Sequence, residues 1–262
     1  MIPVRERLAA GVWHVFVLGV ILFLLTPLVL VVLFAFAANQ IQAFPLEGLT
    51  LKWFAALADW SAFWVALENS AIITGSVGIF ATAIGTAAAL ALSRMRVRRA
   101  GLLMTLLSLP VTIPPLVTGL ALLASYAVLR LKLGVQTVIP SHLVFTQPFV
   151  ILIVYARMAS FDHSLLDAAR DMGASRWYAF RTVTLPIAGP SIIGAALIAM
   201  AVSLDDFVIT YFTIGGGNTL PTLIWSMLRK SLSPSVNAIG TLVLLFTIGS
   251  SVVALRISKY RG

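Results

Sequence analysis

Apolar residues fill this chain in long blocks, and short polar segments separate them. A helix needs roughly 20 such residues to cross the hydrocarbon core of a membrane. The blocks therefore predict an all-α, polytopic membrane protein with six transmembrane helices. These are Trp13–Phe36, Asn69–Ser93, Gly101–Leu129, Val138–Tyr155, Ile187–Phe212 and Ala238–Leu255. The first block exceeds the roughly 7–15 apolar residues of a signal-peptide core, so it reads as an uncleaved helix, kinked at Pro27. In the second, Gly75, Gly78 and Gly85 predict close helix packing, because lipid supplies no hydrophobic drive to hold helices together. The third is interrupted by Pro110 and Pro114-Pro115, which favours a kink over a substrate contact.

The segments between the blocks differ in kind. Ala38–Trp64 carries Glu47, Lys52 and Asp59 and reads as an exposed loop with a short amphipathic helix at Leu51–Leu57. Trp53, Trp60 and Trp64 fit an interfacial belt there. After a turn at Gly215-Gly216-Gly217-Asn218, Pro221–Leu232 reads as a short outer helix. The whole chain, 1–262, reads as one membrane domain with a core at 65–256.

The longest polar segment, Leu165–Pro186, predicts two short helices with a break. Asp167-Ala168-Ala169-Arg170 favours helix, with its acid near the positive N-terminal end. Gly173 permits a tight turn. Ser175 suits an N-cap for a helix over Arg176–Thr182. Pro186 marks the start of the next apolar segment. Leu165, Leu166, Met172, Trp177, Tyr178 and Phe180 are expected to supply apolar contacts.

Composition agrees with a membrane protein. Sixty per cent of residues are hydrophobic and 10% charged, and mean hydropathy is +1.02. The net charge of +9 does not indicate nucleic acid, because the basic residues lie between apolar spans and form no aromatic-studded face. Arg94, Arg96, Arg98 and Arg99 close the second span as an inside-face stop signal, a better fit than a lipid-phosphate site. With six spans and both termini inside, thirteen Lys and Arg fall on the cytoplasmic side: Arg5, Arg7, those four, Arg157, Arg170, Arg176, Arg181, Arg256, Lys259 and Arg261. Five fall outside: Lys52, Arg130, Lys132, Arg229 and Lys230. That asymmetry follows the positive-inside rule and puts Leu165–Pro186 in the cytoplasm.

Little in the sequence suggests chemistry of its own. There is no cysteine. His14, His142 and His163 show no metal-ligand spacing. No phosphate-binding G-x-x-x-x-G-K-[ST] motif is present, and no catalytic constellation stands out. No metal and no cofactor are called for. Asp205-Asp206 does stand out, because ionisable groups inside a membrane helix are costly and mark function by default. Neighbours on a helix point about 100° apart, so at most one of the two is expected to line a path. The alternative is structural: an ion pair with another helix, or a cap on a helix break.

Two resemblances give these features a context. Asp167-Ala168-Ala169, three residues, Gly173, nine residues, then Val183, Thr184 and Leu185-Pro186 resembles the EAA loop of ABC importer permeases. That family has Glu for Asp and Ile for Val. The resemblance implies a type I permease fold in which 160–186 is a coupling loop docking on a separate ATPase subunit. Asp167, Ala168, Ala169, Gly173, Leu185 and Pro186 are then the coupling residues. The run Ser203-Leu204-Asp205-Asp206-Phe207-Val208-Ile209-Thr210, with Phe212-Thr213, Gly215, Leu220-Pro221 and Pro110-Val111-Thr112-Ile113-Pro114, resembles spermidine/putrescine importer permeases of the second-subunit type.

That likeness implies a heterodimer with a homologous permease, a dimer of ATP-binding ATPase subunits, and an extracytoplasmic substrate-binding protein, all at the lipid bilayer of a bacterial inner membrane. The chain itself is then no enzyme. Polyamines are long cations, so a path for a small cationic substrate needs carboxylates and aromatic faces. Asp205, Asp206, Phe207, Tyr211, Phe212 and Trp225 are the candidates, although each aromatic also suits lipid or helix packing. Related permeases carry opines, amino-acid derivatives, thiamine or iron complexes. A channel or scaffold subunit is a further reading, but no symmetric filter or charged ring is legible.

Overall fold

A computed structural model of the chain describes residues 4–162, 164–230 and 233–259. His163, Leu232 and Arg261 lie outside it, as do the side chains of Arg5, Arg7, Lys230, Arg256 and Lys259. The helices are α1 Val4–Phe36, α2 Lys52–Ala58, α3 Ser61–Ser93, α4 Val97–Thr112, α5 Pro115–Val128 and α6 Val135–Ala159. They continue as α7 Ser164–Asp171, α8 Arg176–Ala179, α9 Leu185–Asp205, α10 Val208–Thr213, α11 Leu220–Lys230 and α12 Ser235–Lys259. Among the described residues four helices are long and apolar enough to cross a membrane: Gly11–Phe36, Ser61–Ser93, Val135–Ala159 and Arg176–Asp205. α4 and α5 are together long and apolar enough for a further span, broken at a sharp bend, and the apolar part of α12 is Ser235–Gly249.

The prolines act differently from the kinks and starts expected of them. α4 and α5 meet at 92°. The break falls at Ile113 (φ −80°, ψ 131°) and Pro114 (φ −53°, ψ 134°). Each of these residues precedes a proline, and a proline ring excludes its predecessor from the α region. Two such residues in a row force an extended corner where one would only bend a helix. α5 then starts on Pro115, whose missing N–H costs nothing in a first turn.

Pro186 does the reverse. The backbone stays helical from Arg176 to Asp205, so no new segment starts there. The turn Phe180–Thr184 widens to π-helical bonding, with the Leu185 N–H donating to the Phe180 carbonyl. A widened turn eases the clash between a proline ring and the carbonyl four residues back. The fifth span also ends earlier than expected: α9 stops at Asp205, and α10 is a separate short helix.

The chain divides into two compact units, Met1–Ser61 with Ile224–Ile248, and Ala62–Leu223 with Gly249–Gly262. In the first, Ala37 and Leu49 form an antiparallel bridge behind α1. Asn39 ties the loop, accepting the Glu47 N–H at 2.8 Å and donating to the Pro45 carbonyl at 3.0 Å. The Trp53 indole donates to the Ala37 carbonyl at 2.8 Å, and the Lys52 ammonium sits 4.5 Å over its ring. Trp53 is thus a loop anchor, whereas Trp64 is 52% exposed.

In the second unit α3, α6 and α9 bury Ile73, Val77, Ala81, Val150, Val154, Ala195 and Ala199 against one another. Alanines and glycines interleave with the Val and Ile of that seam, which lets the backbones approach. A Cβ on Gly85 would stand 2.6 Å from Val150 Cγ1, and one on Gly78 would stand 2.6 Å from Met200 Cγ. Gly75, expected to behave alike, faces open space. Gly85→Val is therefore expected to cost about 1–3 kcal/mol by overpacking. The check is thermal unfolding in detergent: Gly85→Val should melt clearly below the parent and Gly75→Ala beside it. Equal midpoints for the two variants would remove Gly85 from the close-contact set.

Candidate functional site

The corner between α4 and α5 forms one wall of a cleft in the second unit. Pro110, Val111, Ile113, Pro115 and Thr118 line that wall. Phe145 and Phe149, one turn apart on α6, line the second. Val202, Asp205, Asp206, Phe207, Val208 and Ile209 complete it from the end of α9 and the start of α10. The cavity is about 430 Å³ and opens to the outside of the chain. Its surface is mostly apolar, with two carboxylates at the helix break.

The carboxylates are adjacent but not equivalent. Asp205 is exposed and has no hydrogen-bond or ion-pair partner among the described residues. The Asp206 side chain is only 11% exposed. Its Oδ2 accepts the Thr210 N–H at 2.8 Å and lies 3.0 Å from the Thr210 hydroxyl. Its Oδ1 lies 3.5 Å from the Ile209 N. Asp206 therefore caps α10, supplying acceptors to N–H groups that have no partner within a helix start.

His142 on α6 stands behind this cap and is 1% exposed. Its Nε2 is 2.9 Å from Thr210 Oγ1 and 3.3 Å from Asp206 Oδ2, and its Nδ1 is 2.8 Å from Ser203 Oγ. A carboxylate only accepts, so the Thr210 hydroxyl donates to Asp206. With its hydroxyl hydrogen so used, Thr210 accepts from an Nε2–H, and Nδ1 shares a hydrogen bond with the Ser203 hydroxyl. Ser203 belongs to α9 and Thr210 to α10, so one imidazole joins both sides of the break.

The expected path residues divide accordingly. Asp205, Asp206 and Phe207 line the cleft. Tyr211 and Phe212 do not: Phe212 packs against Gly119 of α5, where a Cβ would meet its Cδ2 at 2.8 Å. Tyr211 packs between Phe207 and Phe212, with ring centres 5.6 and 5.5 Å away. Trp225 stands in the first unit on α11, 44% exposed. Sequence reasoning missed Phe145, Phe149 and His142. Phe145 and Phe149 carry the i, i+4 spacing of a shared helix face, which was the available signal.

The polar segment forms the helix–turn–helix expected of it. α7 ends in a Schellman turn, with Ala174 N–H bonded to the Ala169 carbonyl at 3.0 Å and Gly173 N–H to that of Arg170 at 2.8 Å. Gly173 is left-handed, at φ +88°. Ser175 caps α8 by accepting the Tyr178 N–H at 3.2 Å. Asp167 pairs with Arg170 at 3.2 Å, an exposed pair that contributes little stability. The apolar contacts are fewer than expected. Leu166 is buried and Phe180 half-buried, but Leu165, Met172, Trp177 and Tyr178 point outward, with Met172 88% and Trp177 70% exposed.

Broken membrane helices around a polar-tipped cleft, with an exposed helical elbow between two spans, suit a transport permease. The chain belongs to the family of binding-protein-dependent transport system inner membrane components, whose model matches residues 81–260. It is 30% identical over 252 residues to the spermidine/putrescine transport system permease protein PotC of Shigella flexneri, covering 94% of this chain and 95% of that one. It is 31% identical over 230 residues to the putrescine transport system permease protein PotI of Escherichia coli (strain K12), covering 85% and 82%. Among solved structures, a bacterial ABC transporter involved in the import of alginate matches with TM-score 0.73, 17% identity and coverage of 98% and 96%. The MetNI methionine ABC transporter matches with TM-score 0.62, 18% identity and coverage of 76% and 97%. The fold is thus that of a multi-pass ABC importer permease.

Proposed function

We propose that this permease is the second membrane subunit of a bacterial polyamine importer, passing spermidine or putrescine through the cleft at Asp205. The observation that carries the reading is the cleft itself. It offers a free carboxylate among Phe145, Phe149 and Phe207, the pairing that a flexible ammonium chain needs. The relatives PotC and PotI, permeases of spermidine/putrescine and putrescine transport systems, point to the same cargo class. The fold alone does not choose a cargo, since the alginate importer handles an acidic polymer.

The cleft lies open on one subunit, and a homologous permease is the partner that closes it. Asp167, Ala168, Ala169, Gly173, Leu185 and Pro186 form the coupling segment, and the outward Met172, Trp177 and Tyr178 are the groups it offers to an ATPase dimer. ATP hydrolysis belongs to those subunits and not to this chain. Closure of the ATPase dimer draws the elbows together and turns the path outward to a substrate-binding protein; hydrolysis resets it inward. Both termini lie in the cytoplasm in this reading, which the distribution of basic residues supports.

The test is uptake by the assembled importer with its binding protein. Labelled spermidine or putrescine should accumulate in an ATP-dependent manner, and excess opine, thiamine or amino acid should not compete. Competition by one of those solutes, with no polyamine uptake, would reassign the cargo.

A further inference from the structure

We propose that His142 is a positioning residue for transport: it pins the Asp206 cap across the broken fifth span and so leaves Asp205 as the one carboxylate that meets cargo. This deepens the polyamine reading and rests on it. The argument starts from what a buried imidazole requires. Both His142 nitrogens are bonded, one to each side of the break, at 2.8 Å to Ser203 and 2.9 Å to Thr210. An orphaned buried polar group is costly, so the three elements α6, α9 and α10 hold together as a unit. Within that unit Asp206 Oδ2 is held by the Thr210 N–H and hydroxyl, with His142 Nε2 3.3 Å away, and the side chain is only 11% exposed. A carboxylate so turned into its own helix start and so little exposed offers an ammonium group little access. Asp205, one residue earlier, is exposed in the cleft.

The division predicts different chemistry for neighbouring residues. Asp205 acts by charge, so Asp205→Glu should keep uptake and Asp205→Asn should lose it. Asp206 acts by geometry, so Asp206→Asn, which caps as well as Asp, should be tolerated and Asp206→Leu should not. His142→Gln can still present an N–H to Thr210, whereas His142→Leu cannot.

Two measurements on the assembled importer test this. The first is uptake of labelled spermidine at saturating binding protein, read beside the ATPase activity that the loaded binding protein stimulates. Asp205→Asn should lower uptake about tenfold with stimulation kept within about twofold, the signature of a lost cargo contact. His142→Leu and Asp206→Leu should lower both, and together should be no worse than either alone. His142→Gln and Asp206→Asn should stay within about threefold of the parent. The second measurement needs no cargo: carboxyl labelling by a water-soluble carbodiimide with an amine, located by mass spectrometry. Asp205 should label and Asp206 should not, until His142→Leu exposes it. Labelling of Asp206 in the parent, or tolerance of Asp205→Asn with loss in Asp206→Asn, would overturn the proposal. A parent that carries no polyamine but labels as stated refutes the cargo alone and leaves the sorting of the two carboxylates standing.

Discussion

Gly173→Val is expected to strip this permease of its ATPase and of its uptake together. Gly173 sits at φ +88°, where a β-branched residue costs of order 1–3 kcal/mol. The strain cannot be relieved by moving a neighbour, because a Cβ there meets nothing within 4 Å. It falls on the backbone of the Schellman turn, which sets the angle between α7 and α8. If that angle changes, Met172 and Trp177 no longer present one surface. Gly173→Asn separates strain from bulk, since Asn enters the left-handed region more readily than other residues with a Cβ. Uptake should therefore rank Gly above Asn above Val, with valine down by about tenfold or more, the factor that 1.36 kcal/mol makes. ATPase co-purification should follow the same order. Normal assembly with normal uptake in Gly173→Val would sink the coupling assignment.

The elbow was legible because everything that builds it is local. A cap, a left-handed glycine and an acid in a first turn are all decided within a few residues, so Ser175, Gly173 and Asp167 behave as their types demand. The spans were legible for a similar reason, since lipid demands long apolar blocks. Their ends and breaks were not. Pro186 obeys the preference for a first turn, yet the helix before it runs on through a π turn, which neighbours in sequence do not reveal. The site was readable only at its polar tip. Asp205 and Asp206 stood out by cost, but the different surroundings of the two depend on His142, distant in sequence and brought against the break by the packing of α6 on α9. Tyr211 and Phe212 were chosen for nearness along the chain, while Phe145 and Phe149 reach the cleft from another helix. Proximity in sequence and proximity in space part company at each helix break.

The same logic makes Pro114 and Pro115 the second place to expect a large loss. Nothing local but the two rings holds Ile113 and Pro114 at ψ 131° and 134°. With Pro114→Ala and Pro115→Ala together, both positions regain the α region, and Val97–Val128 can run on as one straight helix. The wall of Pro110, Val111, Ile113 and Pro115 then leaves the cleft, and Phe145, Phe149 and Asp205 face an unbounded surface. Packing of α5 on α10 through Gly119 and Phe212 opposes the change, so each single variant should do less than the pair. For the pair, polyamine uptake is expected to fall about tenfold or more. ATPase co-purification should stay at the parent level, because the elbow at Ser164–Ala179 is untouched. This pattern is the opposite of that expected for Gly173→Val, in which assembly and transport fail together. Uptake within about twofold of the parent in the double variant would mean that the corner is held by its neighbours and not by its prolines.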